Sequence, residues 1–344
     1  VLGAAEPYPF PHRLADLNPM KHLPILTVLC AAALFAPVAR AADPIKHDFV
    51  AIDEGLNTLL RVNENNPSGD WTIKIGRAHP RDMQLVGGGR ILISHDVGYT
   101  EYDLATGKTL EEVTSMKNVS SARRLANGNT LVAYAVEKQA MGVFVVELDP
   151  SHAVVHQTVY PGDYVRLMRE TTKGTFLYGM DNCIKESDGQ GKFIWQAAIP
   201  GFSHAWKALR LPNGNTLASS GYGSLNHKDS GPNANAFMVE IAPDGSIARK
   251  YGAQADVPAA IHPFFYADFQ LLANGDVVVA NWQGHGPKHG TSGVQVLEYN
   301  PAGAIVWQWS DQPRISSIQG VLVLDGLDPA VLHDERNAVM EPLK

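Results

Sequence analysis

The sequence predicts an all-β protein: a six-bladed β-propeller of four-stranded antiparallel blades, its ring closed by a C-terminal strand pairing with the N-terminal blade. Three observations carry this expectation. A turn recurs as Arg124-Leu125-Ala126-Asn127-Gly128-Asn129-Thr130-Leu131, Arg210-Leu211-Pro212-Asn213-Gly214-Asn215-Thr216-Leu217 and Leu271-Leu272-Ala273-Asn274-Gly275-Asp276-Val277-Val278, each between runs of apolar and β-branched residues. Weaker copies at Gly89 and Gly174 bring the turn glycines to a spacing of roughly 40 to 60 residues, the length of a propeller blade. A second kind of turn lies further along each unit: Ala105-Thr106-Gly107, Asp149-Pro150-Ser151, Asp188-Gly189-Gln190, Pro243-Asp244-Gly245 and Pro301-Ala302-Gly303.

In chain order, residues 49–53, 58–62 and 71–75 give a first unit of only three strands. The unit around Gly128 is complete, with strands expected at 122–126, 130–134, 143–148 and 154–159. Later units end in short strands such as Phe193-Ile194-Trp195-Gln196 and Ile305-Val306-Trp307-Gln308-Trp309. Residues 316–324 read as a first strand with no blade after it, so they are expected to complete the N-terminal unit and remove its exposed edge. Residues 328–344 have no repeat partner and carry mixed charge and Pro342; they read as a tail or a short helix on the outside.

Before the blades, Met20-Lys21-His22, the apolar run 23–35 and Ala39-Arg40-Ala41 have the charged start, hydrophobic middle and small-residue cleavage site of a signal peptide. Residues 1–41 are thus an upstream extension plus signal peptide (Met20–Ala41), 42–327 the propeller domain, and the expected location periplasmic or secreted. No other stretch approaches the roughly 20 apolar residues of a spanning helix, so no membrane span is expected in the mature chain. Cys183 is the mature chain's lone cysteine, which excludes an intramolecular disulfide, and it reads as an inert core residue. A net charge of −7 and a pI near 6.0 argue against nucleic acid as a partner.

The turn glycine serves as a ruler for aligning blades. Ten residues before it stand His79, Asn118, Tyr164, His204 and Phe265; eight before, Arg81, Ser120, Arg166, Trp206 and Ala267. Residues two apart on a strand share a face, so both columns are expected at one mouth of the ring. Seven before come Asp82, Ser121, Leu167, Lys207 and Asp268, pointing the other way in a regular strand, although a one-residue slip exchanges the two sets.

Blade geometry asks for small or apolar residues here, whereas this chain offers Arg, His, Tyr and Trp. Arg81, Arg166 and His204 are candidates to hold an anion by charge-assisted hydrogen bonds; the competing reading has Arg81 tying blades together through a carboxylate. Two loops expected on the same face are long: 221–236, with Tyr222, His227 and Lys228, and 281–293, with Trp282, His285 and His289. With His79, His95, His204 and His262, the expected mouth gathers seven of the 13 histidines. Metal binding, acid-base or covalent chemistry, and plain binding by stacking of Trp206, Tyr222, Tyr266 and Trp282 are the three readings of that cluster. His285-Gly-Pro-Lys-His289 has the spacing of helical zinc sites, but glycine and proline make it a loop and no Glu follows the first His, so no metal ligand is assigned.

The Asn-Gly-Asn-Thr-Leu turns, the stretches Gly221-Tyr222-Gly223 and Asn281-Trp282-Gln283-Gly284-His285, and the strand Ala304-Ile305-Val306-Trp307-Gln308-Trp309 resemble the secreted bacterial propellers of the pyrroloquinoline-quinone-like and arylsulfotransferase-like repeat group, over roughly residues 45 to 325. In arylsulfotransferases a channel histidine accepts the sulfuryl group beside an arginine. The resemblance thus implies His204 as its analogue and Arg166 as anion clamp. The chain lacks a match to that family's large N-terminal sandwich, its expected mature part lacks a cysteine pair, and the tryptophan-docking and calcium motifs of quinone dehydrogenases are not evident.

The sequence therefore predicts an exported propeller binding a small anionic or carbohydrate-like ligand, with acid-base, group-transfer or lyase catalysis as an extension and a protein-interaction scaffold as the alternative. His204, Arg166, Arg81, His262 and His285 are the candidate catalytic residues. Tyr164, Trp206, Lys207, Tyr222, His227, Tyr266 and Trp282 are the candidate ligand contacts, and the cofactor is left open.

Overall fold

The computed structural model describes residues 43–135, 142–160, 164–180, 182–199, 204–221, 236–312 and 314–343; Tyr222, His227 and the Met20–Ala41 segment lie outside them. The recurring turns show why this chain breaks into short strands. Leu125 N–H donates to Asn129 O at 2.8 Å and Gly128 N–H to Leu125 O at 3.0 Å, and the Asn127 side-chain oxygen accepts from Asn129 N–H at 3.0 Å. Asn213 and Asn274 do the same for Asn215 and Asp276. Only the glycine takes positive φ, +86°, +87° and +89° in the three copies, as a three-residue hairpin loop requires.

Four sheets have four antiparallel strands each. The first joins β1 (Asp48–Asp53), β2 (Thr58–Asn63) and β3 (Trp71–Lys74) to β24 (Ile318–Val323), in the order β24-β1-β2-β3. The second holds β4 (Met83–Gly87), β5 (Arg90–His95), β6 (Gly98–Asp103) and β7 (Thr109–Val113). The third holds β8 (Val119–Arg124), β9 (Thr130–Ala135), β10 (Val143–Leu148) and β11 (Val154–Tyr160). The fourth holds β12 (Met168–Glu170), β13 (Phe176–Gly179), β14 (Cys183–Ser187) and β15 (Phe193–Ala198).

A fifth, ten-stranded sheet contains two further four-strand runs. They are β16 (His204–Arg210) to β19 (Ile247–Tyr251), through β17 (Thr216–Gly221) and β18 (Phe237–Ile241), and β20 (Phe265–Leu271) to β23 (Ile305–Trp309), through β21 (Val277–Trp282) and β22 (Val296–Tyr299). One residue pair, Gly221 with Phe265, joins the runs; a Cβ on Gly221 would lie 2.3 Å from the Phe265 ring, so glycine permits the contact. Six separate sheets were expected, and this close approach is why hydrogen bonding does not divide the chain that way. The architecture is a β-propeller of four-stranded antiparallel blades. Apolar cores fill the spaces between successive blades, for example Ile52, Leu59, Leu85 and Ile93 between the first two sheets.

Residues 328–344 overturn the reading of an outer tail or short helix. They form β25 (His333–Asn337) and β26 (Val339–Pro342), paired to each other and, at Leu271, to β20. Ala330 O and Pro329 O accept from Gly88 and Gly89 at the turn end of the second sheet. The segment thus enters from the turn side, and Glu335 is buried at 1 % exposure.

Glu335 is there because cations require it. Its Oε2 accepts from Arg169 Nε at 2.6 Å and its Oε1 from Lys207 Nζ at 2.8 Å; Arg169 also holds Asp82 at 2.8 Å, and Lys207 holds Asp268 at 3.0 Å. Arg123 lies between Asp82 (3.7 Å) and Asp334 (3.6 Å). These residues come from four consecutive blades, from the sixth four-strand run and from the C-terminal hairpin. Burial opposes ionisation of Glu335, but the charges of Lys207, Arg169 and Arg123 outweigh it and hold its pKa down at about 2. Burial moves Asp268 the other way, above the ordinary aspartate value. Cys183, expected in the core, is half-buried.

Two outcomes follow. Glu335→Gln leaves two buried cations short of a counter-charge and should cost about 3–5 kcal/mol in urea unfolding. Because Glu335 has a depressed folded pKa, its contribution is present above the ordinary value of 4.5 and lost as pH falls toward 2. The stability difference between wild type and Glu335→Gln should therefore shrink across that window; a difference constant with pH would refute the ion-pair account.

Candidate functional site

The columns counted from the turn glycines converge on one cavity. It measures about 160 Å³ and is lined by Glu54, His79, Arg81, Arg166, Trp206, Phe265, Ala267, Trp282, His285 and Gln319. Six of these ten belong to the columns ten and eight residues before a turn glycine.

The column seven before was expected to face away, and none of its residues lines the cavity. The innermost strands carry β-bulges here: pairing skips Ser120 in β8, Trp206 and Lys207 in β16, and Ala267 in β20, so two residues oppose one and regular alternation is locally suspended. Arg81, Arg166, Trp206 and Ala267 line the mouth. Asp82, Lys207 and Asp268, one residue later, enter the buried ion network.

Arg166 and Arg81 are held in different ways. The Arg166 guanidinium lies 3.9 Å from the Tyr164 ring centroid and 4.1 Å from that of Trp206, a stacked arrangement suited to a planar cation. Arg81 Nη1 donates to Ser120 Oγ at 3.1 Å, across to the next blade, while its Nε is buried without a partner. Gln319 Oε1 and Trp206 Nε1 are in the same condition. Three cavity residues with unsatisfied buried polar atoms mark a place where something besides protein completes the hydrogen bonding. Burial holds the Arg81 pKa below the ordinary guanidinium value, with Glu54 and Asp96 opposing.

Opposite the arginines is an acid-base group. His285 Nδ1 meets Glu54 Oε1 at 2.8 Å, and Trp282 Nε1 donates to Glu54 Oε2 at 3.1 Å. Burial favours the neutral acid, but the hydrogen bond and charge of His285, followed by Trp282 and His79, keep Glu54 below its ordinary value. The His285 loop is fixed by the closing segment: Ser316 Oγ donates to Gly286 O at 2.6 Å, and Ser317 Oγ accepts from Gln283 N–H at 2.8 Å. Asp53 in turn accepts from the backbone of Ser316 and Ser317 at 2.7 and 3.0 Å. His79, exposed at the rim with φ +53°, has its pKa lowered by burial of the ring and then by the Arg81 charge.

The remaining candidates divide as follows. His204 is buried at the start of β16 and is not among the lining residues. Three assignments are corrected. Lys207 is occupied by Asp268, Glu335 and Phe269 O. Tyr266 is fully buried between blades, with its hydroxyl donating to Gly252 O and 2.7 Å from Tyr299 Oη; one residue short of the bulge, it points away from the mouth. His262 Nδ1 is 2.9 Å from Gln283 Oε1, and its carbonyl accepts from Asn281 and Gln283, so it braces the loop. Of the other mouth histidines, His95 is buried against Thr100, and His289 Nε2 lies 3.1 Å from His285 O. Tyr164 serves as a support for Arg166 and does not line the cavity.

Sequence reasoning missed Glu54 and Gln319, and named His79, Phe265 and Ala267 only as column members. Glu54 follows β1 and Gln319 is in β24, and none of the turn glycines follows either strand at the required distance, so the ruler does not reach them. Among the described residues no group of three or more His, Cys, Asp or Glu is arranged to hold a metal ion, and no helix is long and apolar enough to cross a membrane.

No protein-family model matches the chain, and no curated protein does. Solved structures show the likeness of fold. A protein of unknown function from Bacteroides caccae superposes with a TM-score of 0.64 at 19% identity, covering 81% of this chain and 99% of that one. A streptogramin B lyase gives 0.51 at 12% identity, covering 86% and 95%. The WD40 β-propeller domain of Doa1 gives 0.51 at 13% identity, covering 82% and 90%. The chain is similar to β-propellers.

The two charges at the rim are coupled in a way that can be measured. Replacing Arg81 by Gln removes the second cause of the lowered His79 pKa and should raise it toward 6.5, read from the ring proton shift by NMR. A value unmoved by the substitution would assign the whole effect to burial.

Proposed function

We propose that this chain is a six-bladed propeller whose mouth binds a small anionic ligand between Arg81 and Arg166. The six-blade count divides the ten-stranded sheet at Gly221 and Phe265, and takes the pairing of β24 with β1 as the closure of the ring. The observation that carries the binding reading is the convergence of two guanidinium groups from different blades on one cavity walled by Trp206, Phe265 and Trp282. Among the described residues one carboxylate, Glu54, lines the same cavity, and His285 and Trp282 already engage it. Export to the periplasm or beyond accompanies this reading through the Met20–Ala41 segment.

Catalysis extends the reading through His79 and the Glu54–His285 pair. A histidine of lowered pKa is a proton acceptor at neutral pH, and two guanidinium groups stabilise negative charge that develops when a proton is removed. Lyase chemistry fits that constellation; the likeness to a streptogramin B lyase supports only the fold. Sulfuryl transfer through His204, implied by the arylsulfotransferase-like repeats, loses support because His204 is not among the cavity residues.

The scaffold reading has its own observation. Val154, Val155, Val159, Phe193 and Ile194 are exposed on the outer strands β11 and β15, an apolar rim available to a protein partner.

Arg81→Ala and Arg166→Ala should each weaken binding of carboxylate and sulfate ligands by about ten- to a hundredfold in isothermal titration, since a hydrogen bond to a charged group contributes about 1.5–3 kcal/mol. The Val155→Ser/Phe193→Ser double variant should leave that binding unchanged. Affinities insensitive to both arginines would transfer the function to the rim.

A further inference from the structure

We infer that Ala267 sets the size of the ligand, and that the ligand class is a carboxylate borne on a single ring; this rests on the reading of the mouth as an anion site. In the column eight before the turn glycine, Ala267 stands where other blades present Arg81, Ser120, Arg166 and Trp206. The bulge in β20 turns it into the cavity, where it is 1% exposed and packs with Leu167, Trp206, Phe264, Phe265 and Trp282. Ala267 is the smallest of the residues lining the cavity, so it leaves space that a larger side chain there would fill.

The volume limits the occupant. A cavity of about 150 Å³ is large enough for benzene; this one has about 160 Å³, with an aromatic wall of Trp206, Phe265 and Trp282 facing charged and polar side chains. Its aromatic walls are interlocked: Phe265 meets Trp206 edge-on at 4.9 Å and Trp282 at 5.8 Å, so neither can swing away without losing the other contact. The cavity therefore accepts one ring and does not widen for two. The guanidinium groups of Arg81 and Arg166 suit a carboxylate, whose two coplanar oxygens match the planar guanidinium fork. Acetate fits the charge but leaves the walls uncovered, and a fused two-ring acid exceeds the volume.

The test is isothermal titration of acetate, benzoate and 2-naphthoate against wild type, Ala267→Leu and Ala267→Val. Wild type should bind benzoate at least tenfold more tightly than either of the others. Ala267→Leu fills the cavity and should lose benzoate by tenfold or more while keeping acetate; Ala267→Val, the smaller step, should fall between and serves if the leucine variant does not fold. Benzoate affinity unchanged in the variants, or 2-naphthoate bound as tightly as benzoate, overturns the size role while leaving the anion site intact. Failure of wild type to bind any of the three, acetate included, overturns the anion site itself.

Discussion

The interaction on which this molecule depends is the insertion of Glu335 between Arg169 and Lys207. Each cation comes from a different blade, each is almost wholly buried, and neither could remain charged there without carboxylates at hydrogen-bond distance. Asp82 and Asp268 supply part of that charge from two other blades, but one carboxylate on the C-terminal hairpin touches both cations. Among the described residues Cys183 is the one cysteine, half-buried, and the ion network ties the blades together without a disulfide. It also covers the turn side of the blades, through contacts that β25 and β26 make with residues as distant as Gln84 and Leu271.

The same innermost strands build the mouth. A bulge costs a strand part of its ladder, yet here it lets adjacent residues serve two layers: Trp206 faces the cavity and Lys207 the ion network; Ala267 lines the cavity and Asp268 binds Lys207. A site supported in this way is rigid, because a side chain at the mouth cannot shift without moving a backbone that also positions a buried charge. On the far side of the cavity the support is different. The loop bearing His285 depends on Ser316 and Ser317, and these depend on Asp53, so the acid-base group is assembled where β24 pairs with β1.

How far the sequence was legible follows from that division. Arg81, Arg166, Trp206, His79, Phe265 and Ala267 are found by counting back from Gly89, Gly174, Gly128's counterparts at 214 and 275, because each shares a hairpin with its turn glycine. Trp282 and His285 are found as an unusually long loop. Glu54, Gln319 and Glu335 are not found, since each belongs to a segment that completes a neighbour far away in the chain. Tyr266 and Lys207 are placed otherwise than expected for a more local reason: alternation along a strand assumes regular pairing, and a bulge cannot be read from residue types alone. His262 caps a short helical turn before β20, where no strand alternation applies.

By itself, the sequence determined the blades, because an Asn-Gly turn and the strands beside it interact over a few residues and need no partner elsewhere. It determined most of the cavity's cationic and aromatic wall for the same reason. Only the tertiary structure decided which carboxylates meet those groups: Glu54 with His285, and Glu335 with Arg169 and Lys207, across 231, 166 and 128 residues. Such pairs form when β24 pairs with β1 and the C-terminal hairpin docks on the blades, excluding water between segments far apart in the chain, an event to which no local pattern corresponds.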